Sequence, residues 1–224
     1  MATNDGVIVS IGIDWITGTT KSINAGTTLS AWAGRMMDHE VTKGYQRRHW
    51  GMAGFEGYSA GHIQLARRDD ECMVRLSGVL AKLCWRNVYR VAENITRFDV
   101  QVTHRSSEEV RTRIRRHHKE ALSHCKQFKR GPSVALITSN DGGDTLYLGK
   151  RQSEVYARIY NKEVESKDKA FAGCVRYEVE FKGQYARAWS NKFAGEISER
   201  DTALACLYPF LVKRGIKLPM IPDR

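Results

Sequence analysis

The chain has 224 residues, with 36 lysines and arginines against 25 aspartates and glutamates, a formal charge of +11. Its 42% hydrophobic content and four prolines exclude a disordered, collagen-like or low-complexity chain and predict one packed domain over 1–224. There is no uncharged apolar run of about eighteen residues, and the start, Met1-Ala-Thr-Asn-Asp, is not basic-then-apolar, so no membrane helix or secretory signal is expected and the protein is placed in the cytoplasm.

Residues 7–16 alternate apolar side chains and predict a strand that Thr17-Gly-Thr-Thr ends. Residues 29–43 predict a helix. The glycine-rich segment 51–61 reads as a loop leading into a hairpin of residues 61–67 and 71–77 around Arg68-Asp-Asp. A helix over 79–92 follows. Residues 96–103 then form the cleanest strand, with Phe98, Val100 and Val102 on one side and Arg97, Asp99, Gln101 and Thr103 on the other.

A capping box, Ser106 with Glu109, opens the next helix, which Gly131-Pro132 stops. Strands are expected at 145–148, 154–160 and 175–181, separated by Gly149-Lys-Arg-Gln-Ser and a charged turn over 162–169. A closing helix spans 199–214. Hairpins mixed with helical crossovers predict an α+β fold, a mainly antiparallel mixed sheet with helices packed on it.

The five cysteines at 72, 84, 125, 174 and 206 form no CxxC and read as reduced thiols, mostly filling the core. The charge favours a polyanionic partner, in a cytosolic chain nucleic acid. From 105 to 130 there are nine basic residues against three acids. Such a helix either lies along a phosphate backbone, with Arg115 and Arg116 unbalanced by local acids, or is a solvated face. His117, His118 and His124 read as solvated helix histidines: two turns, about 10 Å, separate the first from the last. There is no GxxxxGK[ST] and no GxGxxG.

The period of two puts Arg176, Glu178 and Glu180 on one strand face and sends Tyr177, Val179 and Phe181 to the core. Glu154, Tyr156, Arg158 and Tyr160 share another face. If these strands lie beside the Asp99 strand, two readings fit: an oxygen site for Mg²⁺ or Mn²⁺ built from Asp99 with Glu178 or Glu180, or ordinary cross-strand Arg–Glu pairs. A tyrosine there is either a nucleophile toward a phosphodiester or a packing residue.

Ile95-Thr-Arg-Phe-Asp-Val, Gly143-Asp-Thr-Leu-Tyr-Leu-Gly-Lys-Arg-Gln-Ser-Glu, Arg158-Ile-Tyr-Asn-Lys and Arg176-Tyr-Glu-Val-Glu-Phe-Lys-Gly occur in that order. Together with Ile13-Asp-Trp and Leu76-Ser-Gly they resemble the Rep_trans family of rolling-circle replication initiators and relaxases. The resemblance implies a degenerate His-hydrophobic-His nuclease fold that nicks and rejoins single-stranded DNA at the origin of a prokaryotic plasmid, phage or conjugative element. A tyrosine would form a 5′-phosphotyrosyl intermediate and leave a free 3′-OH.

By motif the nucleophile matches Tyr160, with Arg158 and Lys162 beside it, and Asp99, Glu178 and Glu180 match the ligands of a divalent metal. Arg115, Arg116, Lys150, Arg151 and Arg176 are the basic residues assigned to DNA. The implied partner is single-stranded or hairpin origin DNA, with a host helicase as a further candidate. Asn161 stands where the family favours Asp. The chain ends soon after Leu218-Pro-Met-Ile-Pro, which implies a nuclease domain without an appended origin-repeat or helicase region. The rival classes are a non-catalytic DNA-binding regulator on the same fold and an RNA-binding module.

Overall fold

A computed structural model of the chain describes residues 7–126, 133–195 and 198–216. The order is β1 (Ile8–Thr20), α1 (Ile23–Thr42), β2 (Arg48–Met52), β3 (Phe55–Ala60), β4 (Ile63–Arg68), β5 (Glu71–Ser77), α2 (Gly78–Val91) and β6 (Asn94–Arg105). There follow α3 (Val110–Cys125), β7 (Val134–Ile137), β8 (Thr145–Leu148), β9 (Val155–Asn161), the short α4 (Lys162–Ser166), β10 (Cys174–Lys182), α5 (Gly183–Gly195) and α6 (Glu199–Val212). Hydrogen-bonded neighbours run β2-β3-β4-β5-β1-β6-β10-β9-β8-β7, and the hairpin ladders are antiparallel. This is the α+β fold that the sequence predicts. No helix among the described residues is long and apolar enough to cross a membrane.

The chain divides into two compact units, Ile13–Asp99 with Phe181–Ile197, and Met1–Gly12 with Val100–Glu180 and Ser198–Arg224. In the first unit α1 and α2 cover one sheet face. Ile16, Leu76 and Ile63 are in register across β1, β5 and β4 and fully buried. Trp85 of α2, Phe98 of β6 and Phe193 of α5 meet edge-on, with ring centroids 5.2–6.2 Å apart. Gly18 of β1 lies against α2: a Cβ there would meet Val88 at 2.6 Å and Ala92 at 2.7 Å.

In the second unit α3 packs across β7, β8 and β9. His117 is fully buried, not a solvated histidine as its basic surroundings suggest. Its Nδ1 lies 2.9 Å from Glu120 Oε2 and its Nε2 lies 2.9 Å from the Tyr177 hydroxyl of β10. A neutral ring satisfies both, donating to the carboxylate and accepting from the phenol. Burial lowers the His117 pKa, and Glu120 only partly offsets it.

Several boundaries differ from the sequence reading for local reasons. Strand β1 continues through Thr20, and α1 begins six residues early because the Ser22 hydroxyl accepts from Ala25 N. The 51–61 segment is largely the β2–β3 hairpin. Its turn places Ala53 and Gly54 at φ of 52° and 80°, and at Gly57 any Cβ would lie 2.0 Å from the Leu65 carbonyl oxygen.

Glu109, not Ser106, caps α3, its carboxylate accepting from Arg111 N and Thr112 N at 3.0 and 2.7 Å. The charged 162–169 turn contains α4, which Asn161 caps through Val164 N. Strand β7 and helix α5 lack a strong periodic signal and were not expected. Gly131-Pro132, the basic pair Lys129-Arg130 and the final 218–222 segment lie outside the described residues. No disulfide joins the five cysteines; Cys72, Cys174 and Cys206 are buried as core filler, whereas Cys84 and Cys125 are only partly buried.

Two predictions follow from the packing. Gly18→Ala overpacks the β1–α2 contact and should cost roughly 1–3 kcal/mol, read as a melting-temperature fall of several degrees. An unchanged melting temperature would show that α2 yields freely. The second prediction concerns pH. The unfolded imidazole takes a proton near pH 6.5 and buried His117 only at lower pH, so protonation favours the unfolded chain and stability falls as pH drops below about 6.5. The slope approaches about 1.4 kcal/mol per pH unit, and urea titrations from pH 7.5 to 5.5 should show it flattened in His117→Gln.

Candidate functional site

In the second unit β10 turns Tyr177 toward α3, so Glu178 faces the other side of the sheet. Strand β9 does the same with alternate residues: Ile159 and Ala157 are buried toward α3, while Tyr156, Arg158 and Tyr160 share the face of Glu178. The register then closes a compact group. Tyr160 Oη donates to Glu178 Oε2 at 2.9 Å, and Arg158 Nη2 donates to Glu178 Oε1 at 2.7 Å. The Arg158 guanidinium also lies 5.1 Å from the centre of the Tyr160 ring.

Tyr160 is 4% exposed and Glu178 2%, yet the group borders solvent. A cleft of about 210 Å³ opens beside it, lined by Gly143, Thr145, Tyr147, Arg158, Tyr160 and Glu165 among others. Burial raises the Tyr160 pKa strongly, Glu178 raises it further, and Arg158 and Arg176 oppose the shift. The phenol therefore stays protonated in the free protein, with its proton directed at a carboxylate. Tyr156 stacks on Tyr147, centroids 5.9 Å apart and planes 19° from parallel. Burial, with Tyr147 adding, pushes its pKa up to about 12.

Other residues singled out in the sequence fall in different settings. Lys162 begins α4, pairs with Glu165, and lies 5.7 Å from the Phe171 ring. Arg176 is 7% exposed and donates from Nε to Thr103 Oγ1 at 2.8 Å, which ties it into the sheet. Lys150 and Arg151 are exposed in the turn after β8. Glu180 is buried at 9% exposure.

Arg115 and Arg116 do have acidic partners, contrary to the sequence reading. Arg115 reaches Asp144 at 3.0 Å, and Arg116 reaches Glu108 at 2.7 Å and Glu120 at 2.9 Å. Asp144 comes from the loop before β8, too distant in sequence for a local charge count to include it. It is fully buried and also holds Arg111 at 3.2 Å.

In the first unit Asp99 is 1% exposed and receives the Arg97 fork, Nε to Oδ1 at 2.9 Å and Nη2 to Oδ2 at 2.5 Å. Among the described residues no three His, Cys, Asp or Glu side chains group closely enough to hold a metal ion. In donor type the carboxylates of Asp99, Glu178 and Glu180 suit a hard cation. Guanidinium groups neutralise the first two in this structure.

Thr145 and Tyr147 were missed. Their alternation with buried Leu146 and Leu148 was the signal that would have placed them on the Tyr160 face, since Thr145 pairs with Tyr160 and Tyr147 with Arg158.

Comparison with known proteins now bears on this group. No curated protein matches the chain. A rolling circle replication initiator protein from Geobacillus stearothermophilus has a similar fold, with a TM-score of 0.56 and 18% identity over 84% of this chain and 80% of that one. Residues 93–208, which include Asp99, Arg158, Tyr160 and Glu178, match the family described as replication initiation factor. The match takes in more than half of the chain, which therefore belongs to the Rep_trans family and is a replication initiation factor.

Proposed function

We propose that this initiator nicks and rejoins single-stranded DNA at a replication origin, with Tyr160 as the nucleophile. The observation that carries the reading is the 2.9 Å hydrogen bond from the Tyr160 hydroxyl to Glu178. A phenol with a raised pKa is a poor nucleophile until a base takes its proton, and here the base is already in contact. Tyr160 Oη bonds to phosphorus, Glu178 receives the phenolic proton, and the bond from phosphorus to the 3′-oxygen breaks. The leaving oxygen takes a proton from solvent to become the free 3′-OH, and the 5′ end stays on Tyr160. Rejoining reverses these steps without ATP, because the phosphodiester energy is held in the covalent bond.

Arg158 stands over the Tyr160 ring and offsets charge developing on the phosphate, with Lys162 two residues after the tyrosine at the start of α4. The carboxylates assigned to a Mg²⁺ or Mn²⁺ ion, Asp99, Glu178 and Glu180, form no ready cluster; an ion bound here would polarise the phosphate, and Glu178 would have to exchange Arg158 for it. In this reading 1–224 acts as one endonuclease domain in a prokaryotic cytoplasm, on single-stranded or hairpin origin DNA that a host helicase helps to unwind. Lys150 and Arg151 belong to its basic surface, whereas Arg176, assigned to DNA from the sequence, is buried in the sheet.

Incubation with 3′-labelled single-stranded DNA and Mn²⁺ should give a covalent adduct on a denaturing gel. Tyr160→Phe should abolish it, and Tyr156→Phe should retain it. Glu178→Gln should slow its formation by at least about 100-fold, the usual effect of losing a general base. An adduct from Tyr160→Phe refutes the assignment. Separately, replacing Arg115 and Arg116 by Gln should lower the slope of log affinity against log salt by roughly one unit per lost phosphate contact. An unchanged slope would confine both arginines to their pairs with Asp144, Glu108 and Glu120.

A further inference from the structure

The first unit carries a line of alternating rings and cations that the nicking chemistry does not use. It starts at the β2–β3 edge hairpin with Trp50. The Arg75 guanidinium lies 4.9 Å from the Trp50 ring and 5.3 Å from the Trp15 ring, and that of Arg97 lies 4.3 Å from the Trp15 ring. Arg97 then closes on Asp99. Four strands, β2, β5, β1 and β6, contribute one ring or cation each.

Register places these side chains on one face. Thr17 and Gln64 flank Arg75, Trp50 stands opposite Gly57, and Trp15 opposite Ser77. The helices lie on the other face, where Ser30 of α1 meets Cys72 and α2 meets Gly18. Beneath the line Phe55, Ala66 and Met73 form a small buried cluster against which Trp50 packs, so the indole is held rigidly. Gln64 and Met52 take two Arg75 nitrogens, at 3.1 and 3.5 Å, while its Nε is buried with no hydrogen-bond partner among the described residues. Met52, 46% exposed, extends the apolar edge.

We propose that Trp50, Arg75 and Trp15 form a stacking platform for the unpaired bases of single-stranded DNA, separate from the tyrosine site. The occupant follows from the chemistry. Both indoles are held against the Arg75 guanidinium, 5.3 and 4.9 Å from the ring centres, which fixes flat aromatic groups of the kind unpaired bases stack on, and only a single strand presents base faces for stacking. Arg48, Arg68, Arg75 and Arg97 on this face, against Glu71 and Asp99, complement a phosphate backbone, as does the overall +11. Trp15, Trp50 and Arg75 lie outside the family-matched 93–208, which holds Tyr160 and Glu178. The inference rests on the reading that the protein handles single-stranded DNA and is independent of which residue is the nucleophile.

The test is equilibrium binding of the full chain, without divalent metal so that no strand is cut, to oligo(dT) of about twelve nucleotides and to an abasic oligomer of equal length. Trp50→Ala should weaken oligo(dT) binding roughly tenfold and leave abasic binding unchanged, and Trp50→Phe should restore most of the loss. Equal affinity of wild type and Trp50→Ala for oligo(dT), or equal weakening toward the abasic strand, overturns the platform. Should Trp50→Ala unfold, tryptophan fluorescence of the wild type decides: oligo(dT) should quench it and the abasic strand should not, and absence of quenching by oligo(dT) overturns the proposal. A failed adduct assay would leave this result standing, so the two readings fail separately.

Discussion

A carboxylate taken out of water is costly unless donors replace the lost hydration, and Glu178 meets that requirement with two side chains from one neighbouring strand. Tyr160 and Arg158 are two residues apart on β9, so a single register satisfies both oxygens at once. A slip of one residue would turn both away, leave Glu178 buried and unpaired, and send Ile159 out of the core. The pairing of β8 with β9 and the burial of Tyr177 beneath α3 are thus bound to the same constraint that aligns the phenol with the carboxylate.

The faces of this group were legible in the sequence because a period of two needs no tertiary information. Arg176-Tyr-Glu-Val-Glu-Phe and Glu154-Val-Tyr-Ala-Arg-Ile-Tyr assign inward and outward sides by themselves, and Thr145-Leu-Tyr-Leu would have done so too. What could not be read was partnership at a distance. Asp144 lies 29 residues from Arg115, and Tyr177 lies 60 residues from His117. A charge count over 105–130 sees nine basic residues against three acids, whereas folding adds a buried acid and a buried phenol from elsewhere in the chain. The 51–61 hairpin failed for a different reason: its glycines admit close backbone approach at Gly57 as well as a turn at Gly54, and composition cannot separate the two.

The first unit shows the same division between local and distant information. Trp15, Trp50 and Arg75 look unrelated in the sequence, 25 to 60 positions apart along the chain. Strand order alone makes them neighbours. Cation–π contacts of this kind hold long side chains in fixed orientations at small energetic gain, on the order of 0.5–1 kcal/mol at exposed sites. Their value lies in presenting flat surfaces that lose little freedom when something stacks on them.

Tyr160 sits at the penultimate position of β9, and the next residue, Asn161, caps α4 through Val164 N at 3.3 Å. The backbone is therefore pinned on both sides, by a sheet ladder before the phenol and a helix start after it. Under the proposed chemistry, a strand end attached to Tyr160 would not be carried from place to place by the protein segment that holds it. Any exchange of partners would then come from movement of the nucleic acid across a stationary anchor, and which 3′ end is rejoined would depend on which one remains within reach.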